Sequence, residues 1–437
     1  MKNFIAILLT LSIVSGNVQG KQESACGKAI PDRDWAFLVY MVPGGSLDSW
    51  ADKNMAAMAA GCISDKVTVC VNRHDDLTTS KRYVIQNGAA LRVPGKTYAG
   101  DFGQDIIQSM QWMVKNYAAK NYGLICWGHG FGPLDPVQYD AATGDWLAEP
   151  DLGAPKNCMN GVCAVKSLKW PTRALLLHAP SQTYLSNAQL SSMLVSIKND
   201  VLGGANLGIL GADCCRCAAL EIAYTARNAA DVLIGSQNCE LPDGWNYQDF
   251  LKNLSVNSGQ GSNGVAQLIV STYNDYYAAR TELNSYTLSA INLAKIDAFV
   301  AALSQLVSIC QDVASRNAGV ADALAAARGA GLNMCDMPSY TDIGVLLKNF
   351  VAELKLRSDS VDAPIIGLLR SVLGNVQTRL VPCIIANATG SAFAVARGLS
   401  IYYPFSHIDT SYASNTFAQE TNWVSFLERF YAPSTPA

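Results

Sequence analysis

Two short turns in the first half of the chain carry residues that could form an acyl-transfer site, and each turn follows an apolar run. Residues 124–127 lead into Gly128-His129-Gly130, and residues 207–212 lead into Asp213-Cys214-Cys215-Arg216-Cys217. A histidine between glycines can present its ring to a ligand while the adjacent backbone N–H stays accessible. A cysteine between a strand and a helix lies near the positive end of the helix dipole, which favours the thiolate. Together the turns supply a nucleophile, a base and candidate oxyanion donors.

The elements that must position these turns are predicted from the alternation of apolar runs with helical spacing. This alternation predicts a mainly parallel sheet covered by helices on both faces. Reactive groups in such sheets lie beyond the carboxyl ends of the strands, which is where both turns fall. The predicted strands cover residues 35–42, 67–71, 124–127, 174–177, 207–210 and 231–235. The predicted helices cover residues 48–60, 101–119, 187–197 and 218–229.

The regular pattern breaks at two places along the chain. Residues 131–173 are rich in Gly, Pro, Asp and Asn with little periodicity, and a loop of this length is usually functional or processed. Helical patterns dominate from residue 261, and strand-like sequence returns at residues 392–403. We therefore predict an α/β core over residues 34–260. Residues 261–437 form a largely helical C-terminal addition with a returning strand.

Composition limits the classes of partner. The chain has 437 residues, of which 50% are hydrophobic and 15% charged, so it can bury a large core. Its formal net charge is -3 and its charges form no block of one sign. A nucleic-acid or anionic-membrane partner needs a concentrated basic field, so neither is predicted.

The N-terminus has the order of a secretory signal. Lys2 precedes an apolar run over residues 4–14, and small or polar residues follow at 15–20. This order predicts a signal peptide over residues 1–20 and a secreted or extracytoplasmic protein; a short buried helix is the alternative. No later segment is predicted to cross a membrane. The 13 cysteines fit an oxidising compartment, where Cys158 and Cys163 could close a small bridge and the odd count leaves at least one thiol unpaired.

The motifs around these turns resemble the clostripain family of caspase-like cysteine peptidases. The resemblance runs in the same order and spacing along most of the chain, and it implies a caspase-like fold. Cys215 takes the nucleophile's place because Asp213 and Glu221 then both align, while Cys214, Arg216 and Cys217 stand where the family usually has Ala, Leu and Met. The matching stretches are residues 127–132 (WGHGFG), 213–217, 221–224 (EIAY), 235–247 and 398–404 (GLSIYYP).

The resemblance implies a role for each site residue. Cys215 would attack the scissile carbonyl, His129 would handle the proton, and the backbone N–H groups of Gly130 and Cys215 would hold the oxyanion. Asp213 and Asp243 match acidic positions of the pocket that selects Arg or Lys before the cut. No cofactor is required, although calcium dependence is known within the family, and the protein is expected to be a monomer acting on proteins or peptides.

Family members are often made as single-chain precursors that are cut between the histidine and cysteine motifs. The predicted loop over residues 131–173 therefore contains candidate self-cleavage sites. These are Lys156, Lys166, Lys169 and Arg173.

Other interpretations of the same residues stay open. A secreted binding protein with an inert site could use the same scaffold. Asp213 could cap the following helix, and Asp243 could serve the turn at Gly244. The cysteines at 214, 215 and 217 lack a second Cys or His pair at ligand spacing, so no metal site is predicted.

The remaining motifs are weaker. No Gly-x-Ser-x-Gly elbow follows a predicted strand, which disfavours a serine nucleophile. His74, followed by two aspartates, is expected in a solvated turn. His178 and His407 are expected to be structural.

Overall fold

The computed structural model describes residues 33–74, 80–95, 98, 100–135, 138–140, 145–147, 175–178, 183–334 and 337–431. The predicted signal peptide, the Cys158–Cys163 bridge and the candidate self-cleavage sites Lys156, Lys166, Lys169 and Arg173 lie outside these residues.

The strands in the described residues, in chain order, are β1 (Arg33–Val42), β2 (Val67–His74), β3 (Ser80–Gln86), β4 (Ala89–Val93), β5 (Ala119–Gly130), β6 (Gln138–Asp140), β7 (Asp145–Leu147), β8 (Leu175–His178), β9 (Thr183–Leu185), β10 (Leu207–Asp213), β11 (Ala230–Gly235), β12 (Thr287–Asn292), β13 (Asn333–Met334), β14 (Met337–Asp342), β15 (Ile384–Thr389) and β16 (Ser400–Tyr402).

The α-helices in the same part of the chain are α1 (Asp48–Gly61), α2 (Phe102–Asn116), α3 (Asn187–Ser196), α4 (Leu220–Ala226), α5 (Tyr247–Val256), α6 (Ser262–Ala278), α7 (Ile296–Ala314), α8 (Ala318–Gly329), α9 (Ile343–Leu356), α10 (Ala363–Leu380), α11 (Thr416–Glu420) and α12 (Trp423–Tyr431).

The large sheet has a parallel centre and antiparallel edges. Its strand order is β15-β12-β11-β10-β5-β1-β2-β3-β4. Strands β11, β10, β5, β1 and β2 are parallel, whereas β3 and β4 on one side and β12 and β15 on the other are antiparallel. The carboxyl ends of the central strands therefore lie along one edge of the sheet.

Alternate residues of β1 show that helices cover both faces. Leu38 and Tyr40 pack in a core with α2 and α3, whereas Phe37 and Val39 pack in a second core with α1, α5 and α6. A strand buried on both faces is apolar at every position, which explains its continuous apolar sequence. The prediction of a mainly parallel sheet with helices on both faces is confirmed.

The C-terminal helices α7, α8, α9 and α10 confirm the predicted helical region and share a core with α2 and α3. Representative buried side chains are Leu303, Leu324, Phe350 and Leu373. The division at residue 261 stays a prediction, but β12 and β15 follow it and both join the large sheet. The predicted strand at 392–403 is shorter than expected, since only β16 forms there and it pairs with β14.

The stretch Leu293–Ala314, which contains α7, is long and apolar enough to cross a membrane by composition alone. Half of its most apolar window is buried inside the protein, where it packs as a core helix. The prediction that no later segment has these properties was therefore too broad.

The prediction for His74 was wrong. It is the last residue of β2 and is 1% exposed, with its Nε2 atom 3.2 Å from Oδ2 of Asp105. The ring packs beside Tyr40, at 4.9 Å between ring centroids. Strand β2 runs three residues beyond its predicted end, and this extension carries the histidine into the core.

Candidate active site

The two predicted turns lie side by side because β5 and β10 are adjacent parallel strands. Asp213 pairs in register with Trp127, so Cys215 and His129 each follow this pair by two residues. The turns are in close contact, since a Cβ atom at Gly130 would lie 2.8 Å from Sγ of Cys214 and 2.8 Å from the carbonyl oxygen of Cys215. Only glycine at position 130 permits this approach.

Cys215 is half-buried and its sulfur has two neighbours from the turn after β11. The side chain of Cys239 lies beside it, and the backbone N–H of Glu240 donates to Sγ of Cys215 at 3.2 Å. The interaction with Cys239, with burial as the second cause, raises the pKa of Cys215 well above its usual range. Cys215 therefore rests as a thiol in this arrangement.

Cys239 is a half-buried cysteine that sequence reasoning did not single out. The interaction with Cys215 and the charge of Arg216 lower its pKa to about 6, against the opposing effect of burial. Nη2 of Arg216 lies 3.2 Å from Sγ of Cys239. Its backbone φ is 60°, a left-handed conformation that costs about 1–2 kcal/mol for a residue with a side chain. The backbone N–H of Arg216 donates to the carbonyl of Asn238 at 2.9 Å, which holds this conformation.

The helix after the nucleophile turn differs from prediction. Helix α4 begins at Leu220, and its N-cap is Ala219 with no side-chain cap. Asp213 is therefore not the N-cap, and Cys215 lies five residues before the helix begins. The dipole of α4 is too distant in sequence to be the main influence on this thiol, because such effects fall off within the first turn.

His129 is half-buried, and burial lowers the pKa of its imidazole. The pairing of His129 with Leu177 in β8 fixes its backbone. Its Nε2 atom lies 2.8 Å from Oγ of Ser46, a residue that sequence reasoning missed. Gly44 and Gly45, both with positive φ, form the turn after β1 that brings Ser46 to the ring. A neutral imidazole at neutral pH is the form that accepts a proton.

Asp213 and Asp243 are brought together by the loop after β11. Asp213 is 3% exposed and accepts hydrogen bonds from Tyr247 Oη at 2.8 Å and from the backbone N–H of Trp245 at 3.3 Å. Burial raises the pKa of Asp213 to about 7. The carboxylate of Asp243 is half-buried and accepts from Tyr276 Oη at 2.8 Å.

Gly244 explains how the loop carrying Asp243 reaches Asp213. Its φ is +65°, and a Cβ atom there would lie 2.9 Å from Oδ2 of Asp213. The N–H of Gly244 donates to the carbonyl of Leu241 at 2.9 Å, so the turn interpretation also holds. Asp243 is thus both a turn residue and a neighbour of the buried acid.

Glu240 is a third acidic group at this site and lies within the stretch at residues 235–247. Both of its carboxylate oxygens are buried. Burial, with the charge of Asp213 as the second cause, raises the pKa of Glu240 well above its usual range. Glu240 therefore adds a second buried carboxyl group next to Asp213.

The comparisons with known proteins agree with this geometry. The sequence model of the clostripain family matches residues 182–343, which include the cysteine motif and the loop carrying Asp243. This part of the chain is therefore similar in sequence to the clostripain family. A search of curated proteins gives no match.

Solved structures of clostripain-family proteases share the fold of the whole chain. A secreted C11 cysteine protease from Bacteroides thetaiotaomicron, "iotapain", has a TM-score of 0.59 at 14% identity, covering 91% of this chain and 99% of that one. The same kind of protease from that organism with an irreversible peptide inhibitor has a TM-score of 0.56 at 16% identity, with the same coverage. An inactive zymogen C11 protease from Parabacteroides distasonis has a TM-score of 0.56 at 16% identity, covering 91% of this chain and 99% of that one. The sequence-based recognition is confirmed, and so, at the level of the family, is the cysteine-peptidase class.

The stretch at residues 398–404, which resembles a clostripain-family strand, packs against the residues that follow Cys215. Ser400 donates its backbone N–H to the carbonyl of Ala218 at 2.9 Å. Oε1 of Glu221 accepts from the backbone N–H of Tyr402 and from Tyr412 Oη, each at 2.9 Å. Burial raises the pKa of Glu221 to about 7. The stretch at residues 398–404 thus contacts the residues that follow Cys215, although the two are far apart in sequence.

Two histidines outside these clostripain-family motifs were expected to be structural. His178 is buried at the end of β8, and Nδ1 of His407 lies 3.0 Å from Oγ of Ser406. None of these contacts suggests that either histidine takes part in catalysis.

The described side chains of the site do not form a metal-ligand cluster. The described residues contain no group of three or more His, Cys, Asp or Glu side chains arranged to hold a metal ion. Cys214 and Cys217 instead contact each other, with their Sγ atoms 2.8 Å apart. Calcium dependence stays an expectation from the family resemblance.

Proposed function

We propose that this protein is a secreted cysteine endopeptidase that cleaves peptide bonds after Arg or Lys, with Cys215 as nucleophile and His129 as general base. The observation that carries the proposal is the contact between the two turns at the ends of β5 and β10, with Asp213 and Asp243 beside them. A nucleophile, a base and an acidic pocket are the parts that this reaction requires.

In the proposed reaction, His129 takes the proton of Cys215 as the sulfur attacks the carbonyl carbon of the substrate. The oxyanion that forms accepts hydrogen bonds from the backbone N–H groups of Gly130 and Cys215. Collapse of this intermediate expels the amine, which receives the proton from His129, and leaves a thioester on Cys215. Water then hydrolyses the thioester by the same steps.

The protonation states of the free site favour a general-base route. The raised pKa of Cys215 keeps it a thiol, and the lowered pKa of His129 keeps the imidazole neutral. Proton transfer must therefore accompany attack, which makes the enzyme depend on His129 as well as on the sulfur.

The preference for basic substrates follows from the acids next to the nucleophile. A guanidinium or ammonium group that enters beside Asp213 and Asp243 would meet carboxylates held by Tyr247 and Tyr276. Loss of one partner of a buried charge pair costs about 2–5 kcal/mol, so a neutral side chain at this position should be strongly disfavoured.

The test is hydrolysis of fluorogenic peptides ending in Arg, Lys, Asp or Leu, in reducing buffer, with and without calcium. The proteins are wild type, Cys215→Ala, His129→Ala and the control Cys310→Ala, a buried cysteine of α7 outside the site. We expect cleavage after Arg or Lys that persists in the control and is lost in both site variants. Cleavage of none of the peptides would favour the inert binding protein on the same scaffold.

Secretion and self-processing are supported by the sequence pattern alone. Mass spectrometry of the mature protein should find its first residue at Lys21. If the loop over 131–173 is cut by the enzyme itself, wild type should become two chains while Cys215→Ala stays one. Replacing Lys156, Lys166, Lys169 and Arg173 together by Ala should also keep it one chain. We expect the product to remain a monomer by light scattering.

A further inference from the structure

We propose that Cys215 and Cys239 form a reversible dithiol–disulfide site, in which a low-molecular-weight disulfide oxidises the pair and removes the nucleophile from catalysis. The consequence for catalysis rests on the proposed function, whereas the thiol chemistry does not.

The geometry that supports this site is the register of two neighbouring strands. Ala212 of β10 pairs with Gly235 of β11, and the turns that follow carry Cys215 and Cys239 to the same edge of the sheet. Cys239 lies beside Cys215, since Nη2 of Arg216 is 3.2 Å from Sγ of Cys239 and the backbone N–H of Glu240, the next residue, donates to Sγ of Cys215 at 3.2 Å. Both cysteines are half-buried, so a small reagent can reach them.

Arg216 prepares one of the two sulfurs for reaction. Its guanidinium lies 3.2 Å from Sγ of Cys239 and 5.7 Å from the centroid of the Phe131 ring. A positive charge beside a sulfur stabilises the thiolate, and the thiolate is the form that attacks disulfides. Because the guanidinium of Arg216 lies at Sγ of Cys239, Cys239 is the attacking sulfur and Cys215 is the resolving one.

The reaction balances in two steps. The Cys239 thiolate attacks the small disulfide RSSR, forming a Cys239–SR mixed disulfide and releasing RS⁻. The Cys215 thiol then gives up its proton as its sulfur attacks Sγ of Cys239, and this forms the Cys215–Cys239 disulfide and releases RSH. Two protein thiols are oxidised, and one small disulfide is reduced to two thiol equivalents.

The other cysteines of this region are less accessible. Cys214 and Cys217 are 1% and 0% exposed, and Cys126 is 0% exposed. A reagent in solution therefore meets Cys215 and Cys239 first. Because Cys214 and Cys217 are also close together, counting the thiols lost on oxidation does not show which pair reacted. The positions of the cross-linked cysteines must therefore be identified.

The deciding experiment treats reduced wild type with oxidised glutathione at neutral pH, blocks free thiols, and maps the cross-links by mass spectrometry after peptic digestion in acid. We expect a cross-link between the peptides containing Cys215 and Cys239, lighter by two hydrogens and lost on reduction. The fraction of Arg-peptide hydrolysis lost should equal the cross-linked fraction. A glutathionyl group on Cys215 alone, or a Cys214–Cys217 cross-link alone, would overturn the proposal.

Two variants test whether the cross-link and the inactivation depend on Cys239. Cys239→Ser should lose the cross-link and be inactivated more slowly, with glutathione on Cys215, whereas Cys310→Ser should behave as wild type. Equal rates of inactivation in Cys239→Ser and wild type would contradict the role of Cys239. If the cross-link forms in a protein that cleaves none of the peptides, the proposed function fails while the dithiol site stands.

Discussion

Oγ of Ser46 lies 2.8 Å from Nε2 of His129, although Ser46 belongs to the turn after β1 and to neither motif that carries the site. This hydrogen bond orients the imidazole. Which of the two atoms donates depends on the tautomer of the ring. Ser46 is therefore a candidate positioning residue for the base.

We expect Ser46→Ala to lower kcat/KM for Arg peptides by about two- to tenfold, because one hydrogen bond contributes about 0.5–1.5 kcal/mol. The acid limb of the pH profile should move as well, since the hydroxyl contacts the titrating ring. Ser46→Thr, which keeps the hydroxyl, should restore both, and the exposed Ser49→Ala should change neither. An unchanged rate and pH profile in Ser46→Ala would remove Ser46 from the mechanism.

The selectivity for Arg over Leu peptides should depend on pH through Asp213. Its pKa is raised to about 7 in the free protein, so it becomes protonated and neutral as the pH falls through that value. The ratio of kcat/KM for Arg and Leu peptides should therefore fall with falling pH. The titration of His129 changes kcat/KM for both peptides by the same factor, so it does not affect this ratio.

In Asp213→Asn, the same ratio should be lower than in wild type and should lose its change near pH 7, because the amide carries no charge. Asn keeps an oxygen that can accept from Tyr247, so the fold is expected to survive. A ratio that remains flat in wild type would show that Asp213 does not contact the basic side chain.

Gly130→Ala should abolish hydrolysis and lower stability. The added methyl would lie 2.8 Å from Sγ of Cys214 and from the carbonyl oxygen of Cys215, and overpacking of this kind costs about 1–3 kcal/mol. Gly367→Ala in α10, where no atom lies within 4 Å of the added methyl, is the matched control and should be neutral or stabilising. Thermal unfolding and Arg-peptide hydrolysis measure both effects, and equal behaviour of the two variants would refute the contact.

The elements that hold the site could be predicted because their cause is local. The continuous apolar sequence of β1 and the capping aspartate of α2, whose side chain accepts from the N–H of Gln104 at 2.8 Å, are both visible in the sequence. Strand β12 was not predicted because its buried Thr287 and Ser289 are polar and are satisfied by hydrogen bonds from distant segments. Apolar periodicity does not detect a strand of this kind.

The site residues that sequence reasoning missed depend on tertiary contacts. Cys239 and Glu240 reach Cys215 only because β11 lies beside β10, and Ser46 reaches His129 only because β1 lies beside β5. No spacing along the chain indicates these neighbours. His74 shows the opposite error, since a polar local sequence suggested exposure where Asp105 of α2 provides a buried partner.

Glu221 should make the stability of the protein depend on pH. Its folded-state pKa is raised from 4.5 to about 7, so the folded protein holds a proton that the unfolded chain has released between these values. A raised pKa means that stability is fully present below about pH 4.5 and is lost as the pH rises through about 7. The shift corresponds to about 3 kcal/mol, because one pKa unit is about 1.4 kcal/mol.

Urea unfolding of wild type and Glu221→Gln at several pH values measures this contribution. The wild-type free energy of unfolding minus that of the variant should fall by about 3 kcal/mol between about pH 4.5 and 8. Gln keeps a carbonyl that can accept from Tyr402 and Tyr412, and the other buried acids are common to both proteins and cancel in the difference. The exposed Glu282→Gln is the control and should parallel wild type. Parallel curves for wild type and Glu221→Gln would mean that Glu221 keeps an ordinary pKa behind the nucleophile turn.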